Sequence, residues 1–268
     1  MAGARHRWVG LLLALAFLLA GGCSPPAPVD EPFAPASHGG KSWQPFLQRA
    51  KDYARNRQGT VAFGVVDDHG KLHGHRLKDP APAASVFKVM LMATYLRMPS
   101  VRDRSLNQYD RDLLGPMIRW SDNTAASKVR DIVGAKRIYN LAHDANMREF
   151  RLEDPWGLSQ TTARDQARFM FRLEDYIPKR HEPYARNLLS HIVPSQRWGI
   201  PKVTPDGWTV YFKGGWGTGT GRVTHQVAFL EEGDQRIALA ILIEFSPSHS
   251  YGTWTVRGVA KRLLKYVA

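Results

Sequence analysis

Residues 86–96 are apolar on nearly every side: Val86, Phe87, Val89, Met90, Leu91 and Met92 leave only Lys88 to interrupt them. A helix of this kind is stable only where other elements cover it all round. Whatever fold the chain adopts must therefore be layered about this segment. The material is available, since 268 residues with a 43% hydrophobic composition suffice for one large domain with a buried core, or for two small ones.

The flanking segments supply the layers. Trp43, Phe46, Leu47, Ala50, Tyr53 and Ala54 recur at helical spacing and predict an amphipathic helix over 43–55. Pro45 fits such a helix only in its first turn, so the helix begins close to it. Val61, Phe63 and Val65 alternate with other residues, Asp67-Asp68-His69-Gly70 signals a turn, and 72–77 completes a β-hairpin. A mainly helical, polar-rich stretch is expected from 106 to about 192. Strand-like runs follow at 208–213, 222–230 and 235–245, the last two joined through Glu231-Glu232-Gly233-Asp234. Val256, Val259, Leu263 and Val267 line one face of a closing helix over 253–267. Strands segregated in sequence from a helical insert indicate an α+β domain. The simplest assembly is a five-stranded antiparallel sheet, with both terminal helices on one face and a helical subdomain alongside.

The first residues read as an export signal over 1–22. Arg5 and Arg7 form a basic start, and 9–20 is an apolar run too short for a comfortable transmembrane helix. It ends at Leu19-Ala20-Gly21-Gly22-Cys23, which resembles a bacterial lipobox, although Ala20 stands where Leu is usual. Lipidation of Cys23 is the expectation and an ordinary secretory signal the alternative. Residues 23–42, rich in Pro, Ala, Ser and Gly, read as a tether, and 43–268 as one domain. The resulting localisation is the outer face of the cell membrane. Cys23 is the one cysteine, so no internal disulfide forms. The formal net charge of +13 attracts polyanions. Nucleic acid is set aside, because the cations are scattered along the chain and the leader directs it out of the cytoplasm. An anionic wall polymer or lipid headgroups, or simply a soluble basic surface, remain.

Three short motifs carry the chemistry. Ser85-Val86-Phe87-Lys88 opens the apolar helix, Ser121-Asp122-Asn123 begins a later one, and Lys213-Gly214-Gly215 ends a strand-like run. Singly each is weak. A Ser with Lys three residues on occurs by chance, Ser121 can serve as a helix N-cap, and a strand often ends in glycine. In this order, each on the element the chemistry requires, they resemble penicillin-binding proteins and class A β-lactamases, whose signature is S-x-x-K, S-D-N and K-T-G. Residues three apart on a helix share a face, so the Lys88 amine can sit beside the Ser85 hydroxyl. Burial and a second nearby cation such as Lys213 would disfavour the charged amine and make it a base. Ser85 in the first helical turn places its own N–H near a developing oxyanion.

The resemblance further implies that Ser121 relays the proton to the leaving nitrogen and that Asn123 holds Lys88 and the substrate amide. Lys213 would attract the substrate carboxylate, Gly215 would leave the strand edge open, and the Trp216 backbone N–H would complete the oxyanion hole. Substrate binding falls to Lys213, Gly214 and Gly215. The expected substrates are β-lactams or peptidoglycan stem peptides ending in D-Ala-D-Ala. No cofactor, metal or nucleic acid is called for, and a monomer is the expectation.

The departures are informative. Gly214 lacks the hydroxyl that the middle residue of K-T-G usually supplies, and Thr218, Thr220 and Thr224 are the nearby substitutes. The stretch between the first two motifs is shorter than in class A enzymes. Those enzymes free the acyl-enzyme with a Glu in an R-x-E-P-x-x-N context. Here Arg151-Leu152-Glu153-Asp154-Pro155-Trp156-Gly157 keeps only the R-x-E. Glu153 is thus either a deacylation base or, the favoured reading, a surface charge on a shortened loop. Trp156-Gly157-Leu158 and Gln196-Arg197-Trp198-Gly199 resemble a group of bacterial β-lactamase-like serine hydrolases. His225 is read as a strand residue at the cleft rim. Slow deacylation is therefore expected. A true β-lactamase using Glu153 and a non-catalytic wall-binding lipoprotein of the same fold are the alternatives.

Overall fold

The computed structural model describes residues 42–219 and 221–268. The leader, Cys23 and nearly all of the expected tether, together with Thr220, lie outside the described residues.

The first described element is α1 (Gln44–Arg55), in which Pro45 occupies the first turn as its missing N–H requires. β1 (Thr60–Val66) and β2 (Leu72–His75) form the expected hairpin, and a 3-10 turn at Ala84–Val86 leads into α2 (Phe87–Leu96). All ten residues of α2 are buried, Lys88 among them. Full burial of a side chain such as Phe87 or Leu91 is worth about 1.5–3 kcal/mol, so this helix anchors the interior.

Between α2 and β5 (Thr209–Gly217) the helical block comprises α3 (Gln108–Arg119), α4 (Asn123–Asp144), α5 (Ala163–Phe171) and α6 (Glu182–Ser190). β6 (Val223–Glu232), β7 (Gln235–Glu244) and α7 (His249–Leu264) close the chain. The sheet is five-stranded, in the order β2-β1-β7-β6-β5, and its pairings are antiparallel. β5 is thus an edge strand.

α1 and α7 pack on each other and on one face. Trp43 stacks on Tyr266 at 4.0 Å, and Gly252 of α7 lies against Thr224 of β6. α5 covers the other face, where a Cβ added at Gly64 would meet the Ala163 carbonyl at 2.8 Å. One element has no signal in the sequence. β3 (Ala81–Pro82) pairs with β4 (Gln160–Thr161), strands too short for any periodicity. Together with an Ala83 N–H donating to Ser159 O at 2.7 Å, this pair ties the approach to Ser85 to the segment after Trp156.

Candidate active site

Ser85 lies in the 3-10 turn that starts α2, is 9% exposed, and follows Ala84, whose φ is +45°. A positive φ in a residue with a Cβ costs energy, and such backbone is held where its surroundings over-determine it. Here β5 does so. A Cβ on Gly215 would approach the amide nitrogens of Ser85 and Val86 to 3.0 Å each, so only glycine lets the strand run this close. Alternation along β5 sends Lys213 and Gly215 to the same side, toward α2.

The Lys88 amine donates to Ser121 O at 2.5 Å, Asn123 Oδ1 at 2.7 Å and Ser121 Oγ at 3.1 Å. Lys213 donates to the same Ser121 Oγ at 3.0 Å and to Gly214 O at 2.8 Å. One hydroxyl therefore bridges two buried amines. Neither lysine has an ion pair among the described residues. Burial pushes the Lys88 pKa down to about 7, against an opposing pull from Asp122. Lys213, wholly buried, is pushed well below its ordinary value by burial and then by the charge of Lys88. Two cations sharing one hydroxyl disfavour double protonation. Three acceptors around Lys88 match the three protons of an ammonium. When the amine is neutral, Ser121 Oγ is the partner that can reverse and donate, because the carbonyl and the amide oxygen only accept.

One local expectation is corrected. Ser121 is not the cap of α4. Asp122 is, accepting from Ala125 N at 2.6 Å, while Ser121 sits at φ +60° with its carbonyl and hydroxyl turned to Lys88. The amine makes no hydrogen bond to Ser85 among the described residues, its donors being taken by Ser121 and Asn123.

Glu153 is not brought to this group. It is exposed, and its one hydrogen bond among the described residues is from its backbone N–H to Ser159 Oγ at 3.1 Å. Trp156, three residues on, does reach Lys88. Its ring lies 5.2 Å from Lys88 Nζ, stacks on Phe87, and is fixed by Nε1 donating to Ser127 Oγ at 3.0 Å.

Gly214 has a steric reason for lacking a side chain. An added Cβ would meet Trp198 Cζ2 at 2.9 Å, so an indole takes the space a side chain here would need. Trp198 packs edge-on to Trp216 at 6.2 Å and to His249 at 5.3 Å. The substitute hydroxyls are not equivalent: Thr218 is exposed, and Thr224 is buried beneath α7 beside His249. The ring contacts of Trp156 and Trp198 join residues distant in sequence, and no local pattern announces them.

His225 is corrected from a rim residue to a buried strut. It is 0% exposed, accepts from Ile243 N at Nδ1 (2.9 Å), and so carries its proton on Nε2, which donates to Pro82 O at 2.9 Å. Burial pushes its pKa down to about 4, so it is neutral and holds the segment before Ser85. No cluster of three His, Cys, Asp or Glu side chains suited to a metal ion occurs among the described residues.

A sequence profile described as the beta-lactamase enzyme family matches residues 108–267. No curated protein matches the chain. The beta-lactamase of Sphaerobacter thermophilus superposes with a TM-score of 0.72 at 20% identity, covering 84% of this chain and 97% of that one. The chromosome-encoded beta-lactamase of Vibrio parahaemolyticus gives 0.71 at 15% identity, over 83% and 98%. A protein described as PBP-A gives 0.69 at 17%, over 82% and 95%. At these identities the likenesses establish the fold.

Proposed function

The chain belongs to the beta-lactamase enzyme family, and from that premise we propose that this serine hydrolase acts through a Ser85 acyl-enzyme on β-lactams or D-Ala-D-Ala-type stem peptides and releases the acyl group slowly. Neutral Lys88 takes the Ser85 hydroxyl proton as Oγ bonds to the amide carbonyl carbon. The oxyanion is met by the N–H groups of Ser85 and Trp216. As the C–N bond breaks, Ser121 gives its proton to the leaving nitrogen and regains one from Lys88, leaving an ester on Ser85. Lys213 faces the substrate carboxylate, and Asn123 the substrate amide. Water then cleaves the ester.

The observation that carries this reading is the Lys88 environment: a buried amine, pushed down to about 7, with three acceptors ready for the ammonium it becomes. Slow release is supported by the exposure of Glu153 and by the Trp156 ring beside Lys88, where a water-activating carboxylate would be needed. The leader and Cys23 support export and attachment to the outer face of the membrane.

Intact-protein mass spectrometry with benzylpenicillin over time, with Ser85→Ala as control, tests the proposal. A persistent adduct on the wild type alone is expected. No adduct would sink it in favour of a non-catalytic wall-binding protein. A transient adduct with the drug consumed would replace slow release by β-lactamase turnover. On our reading, Glu153→Gln leaves the adduct lifetime within about twofold, a barrier change under ~0.5 kcal/mol. A collapse of turnover in that variant would make Glu153 the deacylation base.

A further inference from the structure

The surface where α1 and α7 meet is rich in cations. α1 bears Arg49, Lys51 and Arg55 against a single acid, Asp52, which is paired with Arg55 at 3.5 Å. α7 bears Arg257, Lys261 and Arg262 with no acid, and Lys265 follows directly. Between the helices lies a groove of about 300 Å³ lined by Arg49, Lys261, Arg262 and Lys265, with no carboxylate in its lining. Cations at the C-terminal end of a helix complement its dipole, which accounts for Lys261 and Arg262. It does not account for Arg49, which reaches the same groove from the other helix.

Two of the four are held in place. The Arg262 guanidinium lies 3.9 Å from the Tyr53 ring and donates to Gly258 O at 2.9 Å, and Arg49 lies 5.1 Å from the Phe46 ring. None of the four has an ion pair among the described residues. Like charges gathered in a concavity raise its potential and draw anions. Guanidinium forks flanked by ammonium groups match the oxygens of phosphate in particular. We propose that this groove is a binding site for phosphate groups, carried by an anionic lipid headgroup or a soluble polyphosphate. The groove lies on the α1–α7 side of the sheet, whereas Lys213 and Gly215 project to the other side, so an anion held there leaves Ser85 accessible. α1 also follows directly on the sequence stretch after Cys23. An anionic surface gripping this face would turn the cleft outward.

The test uses the full chain in two arms. One titrates inorganic tripolyphosphate by calorimetry. The other measures co-sedimentation with phosphatidylcholine vesicles, with and without phosphatidylglycerol. The readout is the preference between the two vesicle types, so that any binding common to both cancels. Lys261→Gln/Lys265→Gln removes two exposed groove cations, and Lys136→Gln/Lys179→Gln removes two exposed cations elsewhere. A thermal melt checks that each variant is folded. The groove pair is expected to lower the phosphatidylglycerol preference about fivefold per cation, the equivalent of about 1 kcal/mol each, with the control pair unchanged. Loss in the vesicle arm alone identifies lipid headgroups, loss in the tripolyphosphate arm alone a soluble phosphate, and loss in both the shared chemistry. Equal losses in the two variant pairs, or no binding by the wild type in either arm, would overturn the site.

Discussion

Lys88 shows how a single side chain is tuned by what surrounds it. Its base form is the neutral amine, and its pKa is pushed down to about 7 chiefly by burial. Acylation should therefore rise with pH up to about 7 and level off above it, as stopped-flow measurement of adduct formation would report. Lys88→Arg, which cannot lose its proton, should slow acylation by about a hundredfold or more and abolish that limb. A rate independent of pH between 5 and 9 would remove Lys88 from the proton path (the window being set by roughly two units either side of the pKa). This residue was legible from the three motifs taken in order, since its spacing to Ser85 alone occurs by chance. Its partners were only half legible: Asn123 was named, but the carbonyl of Ser121 was not, because a left-handed φ at Ser121 leaves no trace in composition.

Strand β5 presents one face to α2 and the other to Trp198, and the two glycines of its motif answer to those two faces. Gly215 permits close approach to the Ser85 amide, and Gly214 makes room for the indole. Gly214→Thr, restoring the family's usual residue type, should therefore destabilise the fold by about 1–3 kcal/mol through overpacking. In a Trp198→Ala background the same substitution should cost nothing further. Urea denaturation of the four-member cycle measures this coupling, and additive effects would disprove the steric account. The helical start at Asn123 makes a related point. Either Ser121 or Asp122 suits a cap, and Asp122 takes the role because Ser121 is turned toward two lysines.

Across the molecule, the first and last helices of the described residues close one layer. α1 and α7 pack together over the sheet, with Leu263 at 0% exposure among Val256, Val259 and the strands beneath. Leu263→Ala should cost about 2–5 kcal/mol in denaturant unfolding. The site stands on the other side of the sheet, so the same variant, where still folded, should acylate at the wild-type rate. A parallel loss of acylation in folded protein would show that this layer does more than support.

The sheet strands, the buried helix and the three motifs could be read from residue order, because hydrophobic periodicity and short-range spacing are local properties. The helical block was legible only as a block, since its breaks, such as the stretch between α4 and α5 that holds a 3-10 turn and β4, carry no periodicity. The two-residue pairing of β3 with β4, Trp156 over Lys88, Trp198 against Gly214 and the burial of His225 could not be read that way. Each depends on which distant segments pack together, and packing assigns a residue its solvent, its neighbours and its charge state. Spacing placed Glu153 in a familiar context. Packing left it in water and put an indole beside Lys88.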